Sequence, residues 1–334
     1  MHEVALLPDS DPSIFNCLKW LPIVHNPQSH ELWTTFWWTV PKKLKQYIKT
    51  HLVKKIVFYD IFHAHPGPDQ SCIELVQHYQ KLMPTVLLTA CKTPILGIDN
   101  VLHFDFYWNR TKSAYLDKEI NWKQGSPQEY NQWPIQLDRR PGAILSLYGK
   151  NNWEIKRHLY YQVKHLSGYH SGQTAETSLP SETGINNLPK LQATPPARKY
   201  FDNTYISAQV ESLCKGPNVL YSEKTYDHLI QGRFVMNFGP RHFYRTLVND
   251  GWKLPVGIDY SWDDIEDQIV KYHDVPDEPR FRAYIQSLLE LSSNMERLHE
   301  LFVANRDVFA HNHEQLRQKP YDIISLEQLA HKYT

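Results

Sequence analysis

The sequence predicts an α/β fold with two domains. The segments Ile56 to Phe62 and Thr85 to Ala90 are nearly continuous apolar runs of β-branched and aromatic residues, which is typical of buried parallel strands. A helical segment from Ile73 to Met83 separates the two runs. The chain has 334 residues, which is enough for two hydrophobic cores.

The composition excludes several classes of protein. The formal net charge is zero, so no overall basic field attracts nucleic acid or an anionic membrane, and such a partner needs a local patch. The four cysteines show no CxxC spacing, which indicates neither a zinc site nor a disulfide framework. No apolar run reaches the length of a membrane span, and the start of the chain lacks the layout of a signal peptide. These features predict a cytoplasmic protein without a membrane partner.

A basic segment precedes the first buried strand. The residues from Lys42 to Lys55 are predicted to form a helix that carries six lysines and no acid. One interpretation is a solvated helix face. The other is a surface that follows the phosphates of a nucleic acid, with four candidate residues: Lys42, Lys43, Lys45 and Lys49.

Candidate catalytic bases follow the predicted strands of the amino-terminal half. Asp60 lies near the end of one strand, and His63 and His65 lie in the loop after it. Ligands bind at this end of strands in open α/β sheets, and an imidazole there is suited to deprotonate a hydroxyl group. Asp105, in a strand predicted from Val101 to Tyr107, is a fourth candidate. The alternative is that backbone groups and the loop satisfy these side chains, and two histidines alone are weak support for a metal site.

The predicted domain boundary lies in a polar, proline-rich segment, 124–140. We therefore predict an amino-terminal acceptor-side domain, 1–140, and a carboxyl-terminal donor domain, 141–310. The last residues, 311–334, are predicted to form a tail helix that packs back. A segment from Gly168 to Pro196 lacks periodicity and is predicted to be a long surface excursion.

The stretch from Val219 to Trp252 is the most informative part of the sequence. It predicts a strand at Val219 to Tyr221, a turn, a helix ending at Gly232 and a second strand at Phe234 to Phe238. The turn carries an acid, a base and two hydroxyl groups at a helix N-terminus, where the helix dipole and Lys224 favour an anion such as phosphate. The alternative is that the turn only caps the helix.

This stretch resembles the C-terminal donor domain of GT-B glycosyltransferases, in particular α-1,3-fucosyltransferases and the glycosyltransferase-like proteins of phages and large viruses. The resemblance rests on Ser222, Glu223, Lys224, Thr225 and the later Gly239. It implies a GT-B architecture, in which two Rossmann-like α/β domains face a cleft and the C-terminal helices cross back. It also implies that Lys224 contacts phosphate and that Glu223 contacts a hydroxyl group of the nucleotide sugar.

The resemblance implies further donor-binding residues and a co-substrate. Lys150, Arg157 and Arg241 are candidates for the diphosphate, and Glu211 is a candidate for the ribose or the sugar. The other candidate donor-binding residues are Ser222, Thr225 and Gly239. The expected donor is a UDP- or GDP-linked sugar. No metal is expected, because cationic side chains would stabilise the diphosphate. The DxD pattern at 9–11 is interpreted as a proline-bounded turn.

The expected activity is that of a hexosyl- or pentosyltransferase that moves a sugar to an acceptor hydroxyl group. A chain that resembles phage enzymes and lacks an anchor suggests a hydroxylated base in phage DNA, such as a hydroxymethylated base, as acceptor in the host cytoplasm. Two alternatives remain open. One is a transferase that acts on a surface glycan, and the other is a non-catalytic protein that binds nucleotides or nucleic acid.

Overall fold

The computed structural model describes part of the chain in atomic detail. The described residues are 4–6, 23–26, 30–35, 41–60, 70–105, 107, 108, 111, 112, 115, 137–150, 154–173, 201–211, 214, 216, 218–267 and 278–320. They fall into two compact units, the first ending at Asp105 and the second running from Tyr107 to Pro320. Both units combine strands and helices, which confirms the predicted α/β class. Contacts assign the described residues between Tyr107 and Arg140 to the second unit, and the domain limits given by the sequence stay a prediction.

The first unit contains a six-stranded sheet in the order β1-β2-β3-β4-β5-β6. The pair β2 and β3 is antiparallel, and every other neighbouring pair is parallel. Its strands are β1 (Val4–Leu6), β2 (Ile23–Asn26), β3 (Glu31–Thr35), β4 (Lys55–Asp60), β5 (Thr85–Thr89) and β6 (Val101–His103), and its helices are α1 (Pro41–Thr50) and α2 (Gln70–Gln80).

The core of the first unit explains its helix and strand pattern. Phe58 and Leu87 on the central strands are fully buried and belong to one cluster with Leu44 of α1 and Val76 of α2. Each helix therefore covers the sheet with an apolar stripe and leaves its polar residues outside.

Two boundaries predicted in this region are wrong. Helix α1 ends at Thr50, and Lys55 begins β4 instead of ending the helix; its ammonium group lies 3.1 Å from Glu31 Oε1. Strand β6 ends at His103, while Tyr107 and Trp108 are helical and buried. In both cases tertiary packing overrides a local pattern, because an apolar run joins whichever layer buries it.

The second unit contains a four-stranded parallel sheet in the order β8-β7-β9-β10. Its strands are β7 (Gly142–Lys150), β8 (Gly168–Gln173), β9 (Thr204–Val210) and β10 (Phe234–Phe238). The helices are α3 (Glu154–Val163), α4 (Glu223–Leu229), α5 (Phe243–Asn249), α6 (Pro279–Ser292), α7 (Met295–Ala304) and α8 (Arg306–Gln318), with a short 3-10 helix at Ser261–Asp264.

The order of these strands creates a topological switch point between β7 and β9. The chain leaves β7 toward β8 on one side and then returns to β9 on the other side. The register of β7 and β9 runs from the pair Gly142 and Thr204 to the pair Leu145 and Ser207. In open α/β sheets, ligands bind in the crevice at the carboxyl ends of the two strands that flank such a point. Here those ends are Lys150 on β7 and Glu211 directly after β9.

Two local predictions in the second unit are wrong. Val219 to Tyr221 is not a strand; the segment is a buried connection between β9 and α4. The excursion predicted from Gly168 begins with the strand β8. The segment from Pro279 to Gln318 forms three consecutive helices, α6 to α8, and the Asn294 side chain caps α7 by accepting from Arg297 N at 3.0 Å.

Candidate functional site

A buried carboxylate joins the predicted donor turn to the carboxyl end of β9. Glu211 is 1% exposed, and its Oε2 accepts a hydrogen bond from Ser222 Oγ at 2.5 Å. Its Oε1 accepts from Thr225 Oγ1. Asn237 of β10 donates from Nδ2 to Thr225 Oγ1 at 2.9 Å. The four side chains therefore hold the turn against the ends of β9 and β10.

Ser222 caps α4 and orients Lys224. Its Oγ accepts from the Lys224 backbone N–H at 3.2 Å, and Lys224 Nζ lies 3.5 Å from the same oxygen. One turn further along the helix, Thr111 Oγ1 donates to Asp227 Oδ1 at 2.9 Å. The capping interpretation of Ser222 is confirmed. The donor-binding role of the turn stays a prediction.

Burial separates the members of this turn into two groups. Ser222 and Thr225 are fully buried, as is Glu211, and the polar atoms of these residues contact one another. Lys224 is half-buried. The sequence predicted that all four contact the donor; in this structure the three buried residues position the turn, and Lys224 is the one that solvent reaches.

Arg280 organises the loops after β9 and β10. This fully buried residue donates from NH2 to Cys214 O at 2.6 Å and from NH1 to Gly239 O at 2.8 Å. Its Nε donates to Asp267 Oδ1 at 2.7 Å. Gly239 allows close packing here, because a Cβ at that position would overlap the ring of Phe243. Arg280 is not among the site residues that the sequence predicts, and its only local signal is its place after the proline that starts α6.

The loop after β10 carries the predicted donor residue Arg241 and, next to it, His242. Arg241 Nε donates to the backbone oxygen of Asp264 at 3.1 Å. His242 Nδ1 lies 2.9 Å from Asp264 Oδ1, and Arg245 NH2 donates to the same oxygen at 2.8 Å. The side chain of His242 is 37% exposed. The sequence did not predict a role for three of these residues: His242, Arg245 and Asp264.

Asp263 caps α5, and the pKa of its carboxyl group is raised. Its Oδ1 accepts from Phe243 N at 3.0 Å, and its Oδ2 accepts from Tyr244 N at 2.9 Å. Burial raises the pKa of this carboxyl group to about 6, against the opposing effects of these hydrogen bonds and of the charge on Arg280. Because Asp263 occupies the first amide groups of α5, the helix start is not open to another anion.

This perturbation predicts a pH-dependent stability. Because the folded-state pKa of Asp263 lies above its ordinary value of 3.8, its contribution to stability is fully present below pH 3.8 and is lost as pH rises through about 6. The difference in unfolding free energy between the unaltered chain and Asp263→Asn should therefore change by about 2 kcal/mol between about pH 4 and about pH 7. Urea unfolding of both proteins across this pH range measures this difference. If the unfolding free energies of the two proteins change with pH in the same way, Asp263 does not have the raised pKa.

Two of the four predicted bases, Asp60 and Asp105, lie at or just after the end of a strand of the first sheet. Asp60 ends β4, but its side chain is outside the described part of the structure, as are His63 and His65. Asp105 is buried, and its Oδ2 lies 2.8 Å from Lys92 Nζ. Lys92 is therefore a partner of Asp105 that the sequence analysis did not identify.

For several predicted residues the structure describes only the backbone. Lys150 ends β7, Arg157 lies within α3 and Glu223 begins α4, and nothing is described of their side chains. The same holds for Lys42 and Lys43 in α1. In the rest of that helix, two predicted nucleic-acid contacts are exposed: Lys45 and Lys49.

Comparisons with protein-family models, with curated proteins and with solved structures find no match to this chain. Within the described ranges, no helix is long and apolar enough to cross a membrane. The same ranges contain no group of three or more histidine, cysteine, aspartate or glutamate side chains placed to hold a metal ion. The geometry of the second sheet is therefore the basis for assigning a function.

Proposed function

We propose that this protein is a metal-independent glycosyltransferase of the GT-B type, which binds a UDP- or GDP-linked sugar at the carboxyl edge of the second sheet. The observation that carries the proposal is the position of Lys224. It is held by Ser222 and Glu211 directly beyond β9, one of the two strands that flank the topological switch point. Nucleotide ligands bind at such points, and a lysine there supplies a positive charge for phosphate.

The proposed reaction is the transfer of a sugar to a hydroxyl group. The acceptor oxygen forms a bond to the anomeric carbon, and the bond from that carbon to the diphosphate breaks, so that negative charge develops on the departing nucleoside diphosphate. Lys224 and Arg241 would stabilise this charge. A group that is fixed before the reaction stabilises a transition state more strongly than one that must reorient, and Glu211 provides this fixation through the turn.

The proposed acceptor is a hydroxylated base in DNA. Lys45 and Lys49 support it, because they are four residues apart on α1 and both are exposed. Such a spacing places both ammonium groups on one face of the helix, where phosphates of a nucleic acid are attracted.

Replacement of Lys224 by alanine tests the donor site. We expect one class among UDP-, GDP-, CDP- and dTDP-sugars to raise the apparent Tm of the unaltered chain, since a ligand of the folded state stabilises it. Lys224→Ala should weaken this binding about 10- to 100-fold, as expected for the loss of a charge-assisted contact. Thermal-shift titrations measure both effects.

Lys253 provides the matched control for this experiment. It is an exposed lysine of the same unit, and its backbone N–H donates to Asn312 Oδ1 of α8 at 2.9 Å. Lys253→Ala should bind the donor as the unaltered chain does. If no nucleotide sugar shifts the Tm, or if Lys224→Ala responds like the control, the donor site is not at this turn.

A further inference from the structure

His242 has an unusual backbone conformation for a residue with a side chain. Its φ is 65°, and His30 is the one other non-glycine residue with a positive φ in the described ranges. This left-handed region is strained for L-residues, and residues held in it against strain cluster at functional sites. The surroundings hold His242 there: its N–H donates to Asp263 O at 3.0 Å, and the Asp263 carboxylate binds the next two amide groups.

This conformation directs the imidazole to Asp264. The 2.9 Å contact joins Nδ1 to a carboxylate oxygen, which can only accept, so in the neutral imidazole Nδ1 is the donor and Nε2 keeps the lone pair. More than a third of the side chain is exposed, so a ligand can reach the ring. The charged groups around it are Asp264 itself, Arg241 and Arg245, which also contact Asp264, and Glu266, which lies 4.0 Å from Arg241.

His242 lies in the same compact unit as Lys224 and near the same turn. The ring of Phe243 is 5.1 Å from the ring of Tyr221, the residue before Ser222. The loop that carries His242 begins at the end of β10, where Phe238 O accepts from the Glu211 N–H at 2.9 Å. The loop of His242 and the turn of Lys224 are therefore both anchored at the carboxyl edge of the second sheet.

We propose that His242 is the catalytic base of the transfer, an inference that rests on the proposed function. Nε2 accepts the proton of the acceptor hydroxyl group while the acceptor oxygen forms its bond to the anomeric carbon. The bond from that carbon to the diphosphate breaks, and its electron pair leaves with the nucleoside diphosphate. Asp264 stabilises the imidazolium ion that results.

Two histidine-to-glycine variants separate this role from a structural one. Glycine adopts positive φ without strain, so His242→Gly and His30→Gly should both keep an apparent Tm at or above that of the unaltered chain. The assay is the release of nucleoside diphosphate from the donor identified by thermal shift, with water as the acceptor. We expect His242→Gly to bind that donor normally and to release the diphosphate about 100-fold more slowly or worse. His30→Gly should release it at the rate of the unaltered chain.

Imidazole added to the solution provides the readout that a structural role would not change. It should restore part of the rate of His242→Gly, because it can occupy the space of the missing ring, and it should not alter His30→Gly. Three outcomes would overturn the role of His242 as the base and leave the proposed function standing. The first is an unchanged rate of diphosphate release in His242→Gly. The others are a slow rate together with lost donor binding, and a slow rate that imidazole does not restore. If the unaltered chain binds no nucleotide sugar, or binds one without releasing diphosphate, the inference and the proposed function fail together.

Discussion

Replacement of Arg233 by methionine is expected to lower the free energy of unfolding by about 3 to 5 kcal/mol, because several buried acceptors lose their donors at once. Arg233 is 1% exposed and donates from Nε to Ser207 Oγ at 2.6 Å. Its NH1 donates to Phe201 O at 2.6 Å, and its NH2 donates to Ile206 O at 2.9 Å and to Thr204 Oγ1 at 2.5 Å. Methionine has a similar volume but cannot donate to any of these atoms.

A second buried arginine contacts the same backbone segment at the start of β9. Arg140 donates from NH1 to Phe201 O at 2.9 Å and to Thr204 O at 2.6 Å, and its guanidinium carbon lies 4.1 Å from the centroid of the Phe302 ring. Burial, and then the charge of Arg140, hold the pKa of Arg233 well below its ordinary value. The two side chains together fix the amino end of β9, so the register of the sheet depends on them.

Urea unfolding measures the effect of Arg233→Met, and Arg139→Met is its control. Arg139 is the sequence neighbour of Arg140, but it is 64% exposed and pairs with Glu296 at the surface. Exposed ion pairs contribute little to stability, so this variant should unfold like the unaltered chain. Equal losses in the two variants would show that the buried hydrogen bonds of Arg233 are not what stabilises this edge.

The sequence predicts strands well where apolar residues and pairing coincide. The limits predicted for β10 (Phe234–Phe238) are confirmed, and every residue of this strand and of its neighbour β9 (Thr204–Val210) is buried. The opposite errors at Val219 to Tyr221 and at β8 have one cause. Apolar periodicity reports burial, whereas a strand is defined by its partners; a buried connection can be apolar, and an edge strand such as β8, with the sequence GYHSGQ, can be polar.

The candidate site is predictable only where its contacts are local. The hydrogen bond from the Lys224 N–H to Ser222 Oγ joins residues that are two positions apart, and the sequence predicts it as the cap at the start of a helix. Arg280 reaches Cys214 across 66 residues, and His242 reaches Asp264 across 22. No local pattern encodes such contacts, because they exist only once the loops beyond β9 and β10 converge. For the same reason the sequence identified Glu211 but not its burial beneath the turn.

Glu211→Ala is expected to lower the free energy of unfolding by about 3 to 5 kcal/mol, since hydrogen bonds to a charged group contribute about 1.5 to 3 kcal/mol each. Its carboxylate accepts from the buried hydroxyl groups of Ser222 and Thr225, and alanine leaves both without this acceptor. Because Ser222 also orients Lys224, the same change should weaken the thermal shift caused by the nucleotide sugar.

Glu211→Gln separates the charge of this side chain from its shape. The glutamine oxygen can still accept from one hydroxyl group, and the other hydroxyl can rotate to accept from the amide nitrogen, so we expect a loss of only about 1 kcal/mol. Urea unfolding and donor titration of both variants measure the difference. Equal losses of unfolding free energy in Glu211→Ala and Glu211→Gln would mean that the negative charge of Glu211 holds the turn. A Glu211→Ala variant as stable as the unaltered chain would show that the turn does not depend on Glu211. Lys224 would then be positioned by α4 alone.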